Sequence, residues 1–225
     1  MRLRICRLSV TTFLFLSLLI VSHASAQLPP PGYNSHWRTA DGTEKLALEF
    51  GGGWDIATGP TRATQTRGWN YIMGGGYNFN RHLALFGEYS FNRFTVPPIV
   101  APTQAEQDFV PIGGVHIWSL TANPKFQYHA TERTGAYLIA GGGLYHKVIQ
   151  PGATCATGSC AYTVANAGGA SFGTGIALKP SENSNAKFYA EVRYVWIATK
   201  SQENFTDPSL NSNTSYIPIT AGIRW

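Results

Sequence analysis

The chain is poor in charge, in cysteine and in methionine. Only 13% of its 225 residues are Asp, Glu, Lys or Arg, against roughly 25% in an ordinary soluble domain. A surface wetted on every side needs more than that. Methionine occurs twice and cysteine three times, too few for a disulfide-built scaffold. Cys6 precedes the first apolar run and is not placed as a lipoprotein cysteine. Cys155 and Cys160 bracket the turn-forming tetrad Ala-Thr-Gly-Ser. In an oxidising compartment they are positioned to close a disulfide across a loop tip. A metal site is the rival reading, but no other Cys or His is near them in sequence. No pair of His, Cys or carboxylate residues has recognised ligand spacing, so no metal and no cofactor is expected. After residue 26 no apolar stretch approaches the roughly 20 residues that a membrane-crossing helix requires.

The first 26 residues carry the marks of a secretory signal peptide. Arg2, Arg4 and Arg7 supply a basic start, Phe13 to Val21 is apolar apart from Ser17, and Ala24-Ser25-Ala26 is a small-x-small cleavage site. The formal charge of +5 includes those three arginines, so most of the basic excess leaves with the signal. No basic patch with interleaved aromatics survives, which excludes nucleic acid as a partner. Residues 27–43, with Pro29-Pro30-Pro31-Gly32, read as an extended leader, and 44–225 as one domain.

What remains abundant is glycine, 24 residues, and aromatics at 13%, arranged with a period of two. The alternation predicts eight strands, near 44–54, 69–79, 83–94, 113–128, 135–149, 163–178, 186–199 and 216–225. In the first, Leu46, Leu48, Phe50, Gly52 and Trp54 share one face. In the seventh, Phe188, Ala190, Val192, Tyr194 and Trp196 do. The fifth is ambiguous, because Tyr137, Ile139 and Tyr145 compete with Leu138, Ala140 and Leu144 for the apolar face. Pro124 and Pro218 each delete a ladder donor. Connections 55–68, 95–112, 150–162 and 200–214 are long and polar, whereas 80–82, 129–134 and 179–185 are short. Strict alternation of long and short joins is the pattern of transmembrane barrels.

The apolar faces are expected to point outward. The opposite faces carry Glu49, Glu88, Lys125, Glu191 and Arg193 in mid-strand. Arg or Lys on a lipid face near the midplane costs about 2–4 kcal/mol, so charges belong in a lumen. A barrel of eight strands is filled by its own side chains, and charges of both signs there must pair. A structural plug is therefore expected, with inward Gly74, Gly76, Gly173 and Gly175 leaving room for it. Trp54, Trp69, Phe79, Phe94, Trp196 and Trp225 fall near strand ends, where aromatic girdles meet the two interfaces.

Catalytic motifs are weak. Gly169-Ala170-Ser171-Phe172-Gly173 matches G-x-S-x-G, but it lies inside a strand with no helix after it, where the pattern has no meaning. His116 and Ser119 share a strand but fall on opposite faces, so no Ser–His pair forms. His82 and His129 fall in predicted turns, and His146 is near a loop. Asn204 and Asn213 begin glycosylation-type triplets that imply only exposed loop. The chain is not expected to be an enzyme.

The final segment has Ile217, Ile219, Ala221, Ile223 and Trp225 on one face and Tyr216, Pro218, Thr220, Gly222 and Arg224 on the other. With Tyr216, Gly222, Ile223 and the closing Trp225, it resembles the C-terminal insertion signal of bacterial outer-membrane barrels. The layout of 44–225 is similar to the small outer-membrane group that includes the membrane domain of OmpA and OmpX. Pro218 departs from that pattern. The resemblance implies an all-β, eight-stranded antiparallel up-and-down transmembrane barrel in the bacterial outer membrane. Its implied partners are membrane lipid and, through the last strand, the barrel-assembly machinery. The expected role is structural or adhesive, with the four long connections as the surface for an extracellular ligand. A narrow porin is the alternative, and a soluble lipocalin-like barrel a lesser one.

Overall fold

The computed structural model describes residues 37–40, 42–63, 65–95, 114–129, 131, 133–150, 163–181, 184–198 and 213–225. Cys155 and Cys160, the signal and most of the long connections lie outside them.

Alternating small or polar and bulky apolar residues give each strand two unlike faces, and closing the sheet on itself separates them completely. Eight strands form: β1 (Leu46–Thr58), β2 (Arg67–Asn78), β3 (Leu83–Thr95), β4 (Gly114–His129), β5 (Thr134–Gln150), β6 (Thr163–Leu178), β7 (Lys187–Ile197) and β8 (Thr214–Arg224). Each pairs antiparallel with its sequence neighbours, and β1 closes on β8 from Glu49↔Arg224 to Thr58↔Ser215. Closure leaves no free sheet edge.

The short turns are set by side-chain acceptors. Asn80 Oδ1 accepts from the backbone N–H of His82 and of Leu83, each at 2.8 Å, and so turns β2 into β3. Thr131 Oγ1 accepts from Thr134 N at 3.0 Å between β4 and β5.

The outer face is apolar around the barrel. Leu48, Leu85, Leu120, Leu138 and Leu144 are exposed between two aromatic bands. One band includes Trp54, Trp69 and Trp196; the other includes Phe79, Tyr128, Phe188 and Trp225. The only outward-facing Arg, Lys, Asp or Glu on the strands are Arg67 and Arg93, at the long-loop end.

Four expectations change. The fifth strand's facing is settled: Tyr137, Ile139 and Tyr145 are buried inside, whereas Leu138, Ala140 and Leu144 point out. Phe94 is no girdle residue. It is 1% exposed and belongs to an interior cluster with Val115, Ile117, Tyr145, Val195, Ile197 and Tyr216. The first long connection is shorter than 55–68. Asp55 to Thr58 continue β1, because Asp55 and Ala57 are buried inside while Ile56 faces out. Gly59, at φ +56°, then turns the chain into a 3-10 helix over Gly59–Ala63. Within the extended leader expected over 27–43, residues 37–40 and 42–43 fold back instead. Lys45 N donates to Trp37 O at 2.9 Å, Arg38 bridges Glu44, and Gly42 makes the reversal at φ +81°.

Candidate functional site

The inward parity of β1, β3, β4 and β7 brings the five expected lumen charges into one cluster, in the half of the barrel nearer the short turns. Lys125 Nζ donates to both oxygens of Glu49, at 2.9 and 2.7 Å. The same ammonium is 2.9 Å from Glu88 Oε1. Arg193 Nη1 donates to Glu88 Oε2 at 2.5 Å, and its Nε donates to Glu191. All five are buried.

A sixth member completes the group. Arg224 Nε donates to Glu49 Oε2 at 3.0 Å. The order is Arg224, Glu49, Lys125, Glu88, Arg193, Glu191, with signs alternating at every step. Three cations face three carboxylates, so the desolvated charges compensate one another. Tyr137 then closes a circuit: its hydroxyl donates to Glu191 Oε2 at 2.8 Å, and its ring lies 4.8 Å from the Arg224 guanidinium carbon. Phe86 and Tyr189 pack on the same cations, with Lys125 Nζ 3.9 Å from the Phe86 centroid and Arg224 5.0 Å from that of Tyr189.

The inward glycines lie against this group. A Cβ at Gly74 would meet Glu49 and Glu88 at 3.0 Å, one at Gly76 the Phe86 ring at 2.7 Å, and one at Gly173 the Arg193 Cγ at 2.9 Å. A Cβ at Gly175 would run into the Tyr137 ring.

Above the circuit lies a polar layer. Asn70 Nδ2 donates to Asp55 Oδ1 at 2.8 Å, and Thr220 Oγ1 donates to Asn70 Oδ1 at 3.1 Å. Ser90 and Ser119 share a bond of 2.8 Å, and Asn92 Nδ2 donates to Ser90 Oγ at 3.2 Å. A cavity of about 30 Å³ remains among Asn70, Glu88, Ser119, Ser171 and Arg193, room for one water molecule or two. Beyond it the Phe94–Tyr216 cluster fills the section, and Lys147 Nζ donates to Thr214 Oγ1 at 3.0 Å.

Arg224, Asp55 and Lys147 are among the lumen charges that the sequence reading left out. Arg224 shares a face with Gly222 and Thr220, a signal available from parity but overshadowed by its place in the terminal segment. Asp55 is six residues beyond Glu49 on the same face, yet Asp is a common loop residue. Lys147 belongs to the strand whose facing alternation did not settle.

The remaining motif residues are spread over β4, β6 and the turn between β2 and β3. Ser171 is buried in mid-strand within β6. His116 faces out and Ser119 faces in. His129 ends β4 rather than lying in a turn. His82 is committed on both ring nitrogens, Nδ1 to Gln127 O and Nε2 to Arg81 Nε, each at 3.1 Å. In the terminal segment Tyr216 and Gly222 face inward, whereas Ile223 faces outward, with Trp225 N donating to Leu48 O at 2.8 Å.

No protein-family model matches the chain, and no curated protein matches it. Solved structures do. Neisserial surface protein A is similar with a TM-score of 0.51 at 16% identity, over 80% of this chain and 95% of that one. Ail of Yersinia pestis, in complex with the heparin analogue sucrose octasulfate, gives 0.47 at 14% identity, over 80% and 99%. The N-terminal β-barrel domain of Pseudomonas aeruginosa OprF gives 0.40 at 14% identity, over 79% and 95%. The likeness to Neisserial surface protein A is one of fold, which in this chain is a closed eight-stranded antiparallel barrel.

Proposed function

We propose that this chain is a bacterial outer-membrane barrel with a structural or adhesive surface role, carried by its long-loop end and not by its lumen. The observation that supports this reading is the filled interior. The charge circuit, the polar layer and the aromatic cluster succeed one another along the axis, and the cavity between them measures only about 30 Å³. A barrel closed inside acts through what it displays. In this reading the uncharged outer belt meets lipid, both chain ends lie on the periplasmic side, and the terminal strand ending at Trp225 is the part the assembly machinery engages. The displayed surface is made by residues 59–66, 96–113, 151–162 and 198–213, polar connections well placed to meet a partner. The pair Cys155 and Cys160 would close a disulfide within one of them.

The test has two arms. Purified barrel in a planar bilayer should give no unitary conductance steps, either as the wild type or as Arg193→Ala. Cells displaying the protein should adhere to host surfaces more than cells lacking it, and shortening 96–113 or 198–213 should abolish the gain while the barrel stays folded. Steady conductance in the wild type, or adhesion indifferent to every loop deletion, would contradict the proposal.

A further inference from the structure

Beyond the balanced circuit, the short-turn mouth carries further basic side chains of its own. Parity continues the inward face of β4, β5, β6 and β7 to His129, Arg133, Lys179 and Lys187, which converge on one recess with Gln127. Lys179 N donates to Arg133 O at 2.8 Å, which holds the ends of β5 and β6 together beneath them. Deeper in the barrel each cation of the circuit has a carboxylate within 3.0 Å. Among the described residues, neither Lys179 nor Lys187 has a carboxylate within ion-pair distance. Glu44, a described acid at this end, is engaged with Arg38 at 3.7 Å and with Asn185 Nδ2 at 2.9 Å. Glu132 and Glu182 belong to the adjoining turns but lie outside the described residues. The circuit cannot supply a counter-charge either, because its three carboxylates are already matched.

Several donors of one sign, pointed at one recess with low-dielectric walls, focus a positive potential there. The recess has a volume of about 10 Å³, enough for one oxygen-sized group. It therefore suits the oxygen of an anion whose bulk stays outside. A divalent tetrahedral anion answers several cations at once and accepts charge-assisted hydrogen bonds from lysine ammonium groups. We infer that the short-turn mouth of the barrel is a binding site for a phosphate group. The phosphate is presented either by a soluble ligand or by a lipid headgroup reaching the rim.

The full barrel in uncharged maltoside detergent, titrated calorimetrically with inorganic pyrophosphate at low salt, tests this. Saturable binding with a Kd of about 1 mM or tighter is expected, weakening as salt screens it. Lys179→Gln/Lys187→Gln should weaken it about tenfold, whereas Arg67→Gln, at the opposite end, should leave it unchanged. Folding of each variant is checked by its gel shift on boiling, and Lys179→Gln alone serves if the double variant does not fold. In nanodiscs, phosphatidic acid should block pyrophosphate if a lipid supplies the phosphate, and should leave it untouched if the ligand is soluble. Absence of saturable binding, or equal binding by Lys179→Gln/Lys187→Gln and Arg67→Gln, would overturn the assignment.

Discussion

Lys125 is the single side chain on which the lumen circuit turns. It touches Glu49 and Glu88, lies over the Phe86 ring, and is fully buried. Lys125→Met keeps the length of the stem but leaves two carboxylates facing each other in a desolvated lumen. Removing one partner of a buried pair costs about 3–5 kcal/mol, so urea unfolding from lipid vesicles should show a loss of that order. A loss near zero would mean that water reaches the circuit. Gly76 is a second sensitive residue. A methyl there would press on a Phe86 ring that is 0% exposed and held under Lys125. Gly76→Ala should cost about 1–3 kcal/mol by overpacking, measured by the same unfolding, while Gly168→Ala, with open space around it, should cost far less. Charges in mid-strand made the circuit's members legible in the sequence, but not their order. Alternation places a residue inside without naming its neighbour across the lumen, and Arg224 came from a segment dominated by its outward aromatic.

At the scale of elements, the two prolines show how a barrel tolerates a missing donor. The β4–β5 ladder is interrupted between Ala122↔Gly142 and Lys125↔Ile139, around Pro124, and resumes in the same register. The β7–β8 ladder is interrupted between Val192↔Ile219 and Val195↔Tyr216, around Pro218, while β8 stays paired to β1 through Asp55↔Pro218. Pro218 thus faces its missing N–H toward β7. Pro218→Ala should restore one ladder bond and stabilise the closing seam by about 1 kcal/mol, read as a higher urea midpoint and slower amide exchange in β7 near Tyr194. Unchanged exchange there would mean that the gap is bridged in another way. Strand existence was legible throughout, because alternation of bulky and small residues runs along most strands and turn-rich segments bound the rest. Strand limits were not. Asp55 reads as a loop residue until Asn70, on the neighbouring strand, is seen to donate to it inside. The Gly141-Gly142-Gly143 run in β5 offers no side chains from which to read a face.

For the whole molecule, the decisive property is which face meets which medium. Exposed Leu144 at 69% and Trp54 at 72% would be costly in water and are favourable in hydrocarbon, while the circuit would be ruinous if turned outward into lipid. The same alternation can also be drawn with its apolar side inward around a ligand. What separates the two is closure with the charges inside, a property of all eight strands together. Depth-resolved quenching of tryptophan fluorescence by brominated lipid, on the protein reconstituted in vesicles, tests this most directly. Trp54, Trp69, Trp196 and Trp225 should be strongly quenched by acyl-chain bromines, most strongly by those placed near the two interfaces. Fluorescence indifferent to brominated lipid, from a protein that stays in the aqueous fraction, would contradict the outward-facing belt and the membrane role built on it.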